Sequence, residues 1–156
     1  MILIIGYGNS FCGDDGIGPC AAELIAEREL PGVQSIATHQ LTPELAAVIS
    51  LADTVIFIDA AYGPTPGEII CREPPPAVSS AFSHHVSAVT LLESAEVLYG
   101  GRPQTAYMYT ITGGKFGLGD PFSREVASAL PGLLSQLKAR IDQCMSLPLL
   151  STSSSI

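Results

Sequence analysis

The chain is 156 residues long, 47% hydrophobic and only 14% charged, which suits one compact domain with a sizeable core and requires no second. Its 15 acidic residues against 7 basic ones give a formal charge of −8, which argues against a polyanionic partner such as nucleic acid or an acidic membrane surface. No apolar run is long enough to span a membrane and the aliphatic start lacks the basic region of a secretory leader, so a cytoplasmic protein is expected.

The chain opens on Ile2-Leu3-Ile4-Ile5, ended by Gly6, which reads as a strand buried on both faces in a parallel sheet. A glycine-studded turn follows and carries Asp14 and Asp15 to the carboxyl edge of that sheet, just before Gly16-Ile17-Gly18-Pro19. There a helix offers unpaired N–H groups and the positive end of its dipole. A dinucleotide fingerprint fails here: Gly6 and Gly8 fit the first two glycines, but Phe11 stands where the third must be small, and the acids would repel a pyrophosphate. Either acid can serve as an N-cap, but not both at once. The helix is predicted from Gly18 to Glu29, with Cys20, Leu24, Ala21 and Ile25 inward, and Pro31-Gly32 ends it.

Val33 to Ala37 reads as a second strand, followed by a helix capped by Thr42 with Pro43 at its first position and Leu45, Val48 and Ile49 inward. The segment His39 to Glu44 reaches the same edge as the acids, where it either lines a cleft or only caps the helix; His39 is a candidate for substrate recognition. Thr54 to Ile58 is the third strand, and Asp59 at its end is either a site residue or a carboxylate satisfied by turn N–H groups. Gly67 to Arg72 reads as a short antiparallel edge strand, and Pro74-Pro75-Pro76 as an extended loop. His84 and His85 then precede a helix to Leu98 with Val86, Val89, Leu92 and Val97 mostly inward; adjacent histidines cannot share a face, so at most one points at the acids.

Thr105 to Ile111 forms the fifth strand, with Tyr107 and Tyr109 on one face and Met108 on the other. Gly113 to Asp120 is expected to be a mobile loop, without the Gly-Lys-Ser/Thr ending of a phosphate loop. Ser123 caps a last helix whose stripe is Val126, Leu130, Leu133, Leu134, Leu137 and Ile141, and Pro131 should kink or divide it. Residues 1–145 make the domain and the serine-rich 146–156 a flexible tail. Cys12, Cys20, Cys71 and Cys144 show no Cys-x-x-Cys spacing and read as reduced thiols, with packing favoured over a nucleophilic role for Cys12. The element order predicts an α/β fold: a three-layer αβα sandwich around a mostly parallel, twisted five-stranded sheet.

The stretch Gly6-Tyr7-Gly8-Asn9, then Asp14-Asp15-Gly16-Ile17-Gly18, resembles the signature of the nickel–iron hydrogenase maturation endopeptidases, and the similarity extends over residues 1–145. The resemblance implies an endopeptidase that removes the C-terminal extension of the [NiFe]-hydrogenase large-subunit precursor after nickel insertion, recognising nickel held by that substrate. It assigns Asp15, Asp59 and His85 to metal binding and catalysis, His85 rather than His84 because it takes the place of the family's histidine ligand. Such a set suits a borderline divalent ion, with cadmium or zinc able to replace nickel in vitro. The expected partner is the precursor, gripped by loops such as Gly113 to Asp120, and the protein is expected to be a monomer in isolation. The alternative is a non-catalytic nickel-binding or hydrogenase-assembly chaperone with the same fold. No Gly-x-Ser-x-Gly elbow, His-Glu-x-x-His helix or cysteine–histidine pair points to another hydrolase.

Overall fold

The aliphatic run at the start of the chain forms β1 (Ile2–Tyr7), with Ile2 and Ile4 packed to one side of the sheet and Leu3 and Ile5 to the other. The computed structural model describes residues 1–75 and 86–147. A 3-10 turn (Gly13–Gly16) leads to α1 (Ile17–Glu27), then β2 (Val33–Thr38), α2 (Leu45–Ile49), β3 (Thr54–Ala61) and β4 (Ile69–Arg72). The described chain continues with α3 (Ala88–Tyr99), β5 (Thr105–Thr112) and α4 (Arg124–Ser146).

The sheet is five-stranded in the order β2-β1-β3-β5-β4; β4 runs antiparallel on the edge beside β5 and every other pairing is parallel. Right-handed crossovers require helices on both faces of such a sheet. One core joins α1 and α4 to Ile56, Ile58, Tyr109 and Ile111, and the other joins α2 and α3 to Val55, Phe57 and Met108. The αβα sandwich, the antiparallel edge strand and the split of Tyr107 and Tyr109 from Met108 all follow the sequence expectation. No helix among the described residues is long and apolar enough to cross a membrane.

Several local expectations are overturned. The buried residues of α1 are Ile17, Gly18, Pro19, Ala21, Ala22 and Ile25, while Cys20 and Leu24 are only half-buried, because Gly18 and Ala22 are the residues that cross Gly6 of β1. Thr42 makes no cap: α2 starts after Glu44, which has helical angles and no side-chain bond to the turn. Val97 is 81% exposed, because the inward stripe of α3 is Ala88, Leu91, Leu92 and Ala95. Pro131 does not divide α4, which is one helix from Arg124 to Ser146; it lies on the exposed face where the carbonyl it leaves unbonded can take water. Ser123 does cap α4, accepting the Val126 N–H at 3.3 Å. His84, His85 and the tail from residue 148 lie outside the described residues.

Glycines set how closely α1 approaches the sheet. A Cβ on Gly6 would collide with the Gly18 carbonyl oxygen, and one on Gly18 with the carbonyl oxygens of Ile58 and Tyr7. Backbone atoms of three elements meet there and none can move aside. Gly18→Ala should therefore cost about 3 kcal/mol, the upper end for overpacking, read as a fall in the urea midpoint at unchanged slope.

Candidate functional site

The parallel register aligns Gly6 of β1 with Ile58 of β3, so the next residues, Tyr7 and Asp59, come level at the carboxyl edge. The chain then turns at Gly8, whose φ of +147° suits glycine and whose missing Cβ leaves room for the Asp15 carbonyl oxygen. Asp15 is thus laid directly on the end of β1, and its Oδ2 accepts the Asn9 N–H at 2.7 Å.

Asp15 and Asp59 line one open cavity of about 510 Å³, together with Tyr7, His39, Gln40, Thr42 and Val86. Burial pushes the Asp59 carboxyl up to about 6; the Tyr7 hydroxyl opposes the shift and the charge of Asp15 adds to it. Burial, followed by the charge of Asp59, holds the Tyr7 hydroxyl well above the ordinary tyrosine range. Asp59 is therefore a half-buried carboxylate at the cavity wall, beside the charge of Asp15 and with a backbone contact to Ala60. The His39 segment lines the cavity as well, its backbone fixed by the Gly8 N–H, which donates to both Thr38 O (3.2 Å) and His39 O (3.1 Å).

The two adjacent acids have opposite roles. Asp14 is completely buried, and its carboxylate accepts three backbone N–H groups: Gly114 at 2.7 Å, Lys115 at 2.9 Å and Ser123 at 2.7 Å. Burial acts to raise its pKa, but the donors from Gly114, Ser123 and Lys115 prevail and hold it below the ordinary value. Asp14 is neither a cap of α1, whose N-cap is Gly16, nor a site residue. It ties the turn after β1 to the segment after β5.

That tie also overturns the expected mobile loop. The Asp14 N–H donates to Lys115 O at 2.7 Å, Gly113 N–H to Ala61 O at 2.9 Å, and Gly119 N–H to Phe11 O at 2.7 Å. The loop is pinned beside the cavity and does not line it. A pair of acids where one cap suffices was the only sequence signal for Asp14; nothing in the sequence pointed to its partners 100 residues away.

His85 lies outside the described residues, while its sequence neighbour Val86 lines the cavity. Among the described residues no group of three or more His, Cys, Asp or Glu side chains is grouped to hold a metal ion, so Asp15 and Asp59 are the described part of the assigned set. Cys12 is a half-buried free thiol outside the cavity lining.

Two outcomes follow for the metal-free protein. Asp14→Asn turns an amide donor toward backbone N–H donors and should lower stability by about 3 kcal/mol, against less than about 1 kcal/mol for Asp15→Asn, in parallel urea titrations. The raised Asp59 gives the folded state the greater proton affinity between about pH 4 and pH 6, so its contribution to stability declines as pH rises through that window. Asp59→Asn should remove this decline and be more stable than wild type by about 2 kcal/mol at pH 7 but not at pH 4, measured by denaturation at both pH values.

No protein-family model matches this sequence, and no curated protein matches it. Solved structures do. The [NiFe] hydrogenase maturation protease HycI from Thermococcus kodakarensis KOD1 matches with a TM-score of 0.74 at 23% identity, over 90% of this chain and 92% of that one. The hydrogenase maturating endopeptidase HybD from E. coli matches with a TM-score of 0.63 at 21% identity, over 92% and 93%. The endopeptidase HycI from Escherichia coli matches with a TM-score of 0.66 at 21% identity, over 89% and 90%. At these identities the likeness establishes architecture, and this chain has the fold of the [NiFe] hydrogenase maturation proteases.

Proposed function

We propose that this chain is an endopeptidase that removes a C-terminal extension from the large-subunit precursor of a [NiFe] hydrogenase after nickel insertion, with Asp15, Asp59 and His85 recognising the nickel that the precursor carries. The observation that carries this reading is the meeting of Asp15, from the 3-10 turn, and Asp59, from the carboxyl end of β3, in one cavity, within a fold shared with maturation proteases. The assignment of His85 comes from the motif resemblance and is supported by Val86, the next residue, which lines that cavity.

The electrostatics support a site that receives a cation. Burial and the charge of Asp15 both disfavour the ionised form of Asp59, and a divalent ion between the carboxylates offsets both effects. Two oxygen donors and an imidazole suit nickel, and leave coordination positions for ligands of the precursor. The precursor's nickel supplies Lewis acidity at the scissile bond. On the enzyme side, the Asn9 N–H orients Asp15, the Tyr7 hydroxyl interacts with Asp59, and one carboxylate of the pair relays the proton of the attacking water. The four free thiols suit a reducing compartment, which supports action in the cytoplasm.

The mass of the precursor before and after incubation tests the proposal. Nickel-loaded precursor should be shortened and nickel-free precursor left intact, and Asp15→Ala, Asp59→Ala or His85→Ala should slow cleavage by about 100-fold or more. A chaperone would bind without shortening the precursor. Equal cleavage of loaded and nickel-free precursor would remove the metal-reading role.

A further inference from the structure

The cavity that holds Asp15 and Asp59 has a neighbour. Gly8 and His39 also line a second groove of about 260 Å³, which continues past Ser10 and Phe11 to Pro19 and Glu23 of α1. The two openings share Gly8 and His39, so a chain passing over these two residues would run from the acid pair toward the N-terminal half of α1.

The far groove has a defined chemistry. Phe11 is 74% exposed, yet its turn is held on all sides: its N–H donates to Asn9 Oδ1 at 2.9 Å, its carbonyl accepts the Gly119 N–H at 2.7 Å, and the Cys12 N–H donates to Asn9 O at 3.1 Å. A fixed turn that keeps a phenyl ring in water offers apolar contact at little cost in ordering. Glu23 is exposed and makes no ion pair with a described residue. Glu27, one turn further along α1, repeats its charge. Burial, then the charges of Glu23 and Glu27, push the Cys20 thiol above its ordinary range, which marks this flank of α1 as anionic.

Resting on the processing function above, we propose that this groove is a subsite for an extended stretch of the precursor beside the scissile bond, taking an apolar side chain against Phe11 and a basic side chain toward Glu23. An extended chain advances about 3.4 Å per residue, so neighbouring side chains of one stretch can reach Phe11 and Glu23 while the scissile bond stays at the acids. The groove then selects the sequence around the cut, while the acid pair reads the metal.

Cleavage kinetics with nickel-loaded precursor test this on wild type, Phe11→Ser, Glu23→Lys and the control Val97→Ser, which lies on α3 across the sheet. Phe11→Ser and Glu23→Lys should each raise KM about tenfold with kcat within about twofold of wild type, as loss of an aromatic anchor or reversal of an interface charge does, and Val97→Ser should match wild type. Lys or Arg residues flanking the cut, changed singly to Glu, should include one whose precursor Glu23→Lys cuts better than wild type does. Unchanged KM in both variants, or no such compensating precursor, overturns the subsite while the processing function stands. If wild type leaves the loaded precursor intact, the processing reading falls. A precursor affinity equal in wild type and Phe11→Ser then overturns the groove as well, and an affinity weakened by Phe11→Ser sustains it.

Discussion

The close backbone contact between β1 and α1 is the constraint on which the rest of the molecule depends. Gly6 and Gly18 let the helix axis approach the sheet until main-chain atoms of β1, β3 and α1 touch, and Gly8 lets the Asp15 backbone lie on the end of β1. A side chain at any of these positions would lift α1 and the 3-10 turn off the sheet. The apolar packing of α1 and the location of Asp15 beside Asp59 are therefore two results of one contact. Glycines usually read as flexibility, but here they provide proximity.

Asp14 and Asp15 show how neighbouring residues of one type separate in role through their surroundings. Asp14 has lost all contact with water and recovers the cost through three backbone donors, which makes it a rigid tie between loops far apart in sequence. Asp15 and Asp59 keep open sides to a cavity, where burial, with the charge of Asp15 adding to it, raises Asp59. A fully satisfied carboxylate has little capacity left for a ligand, whereas a carboxylate whose ionised form is disfavoured gains from a cation. Asp14 supports the cavity wall as well, since the loop it holds also bonds the Phe11 carbonyl in the turn that carries Asp15.

Much of the fold was legible because it rests on local patterns. The aliphatic runs at Ile2–Ile5 and Thr54–Ile58 could only be buried strands, and the short gap before Ile69–Arg72 allowed no helical crossover, hence an antiparallel edge. Errors arose where a choice depended on partners. The sequence reading sets Cys20 and Leu24 inward beside Ala21 and Ile25, but the crossing over Gly6 turns Gly18 and Ala22 to the sheet instead, and Val97 had the right hydrophobicity at the wrong angle on α3. Pro131 left open whether the last helix divides, and packing of Leu133, Leu137 and Ile141 on the sheet outweighed the one bond it forfeits.

By itself the sequence determined the chemistry on offer: an α/β chain with a parallel centre, carboxylates at the ends of its first and third strands, and free thiols in place of a disulfide frame. Those features are written in periodicity and in residue type, which need no knowledge of distant contacts. Only the tertiary structure decided which acid of the pair faces the cavity, that the glycine-rich loop is pinned by Asp14 in place of moving freely, and that Phe11 stands in water beside a groove that shares Gly8 and His39 with the cavity. The reason is physical. Each of these depends on which backbone N–H groups and which elements come within a few ångströms of a side chain, and in Asp14's case those groups are supplied from 100 to 109 residues further along the chain.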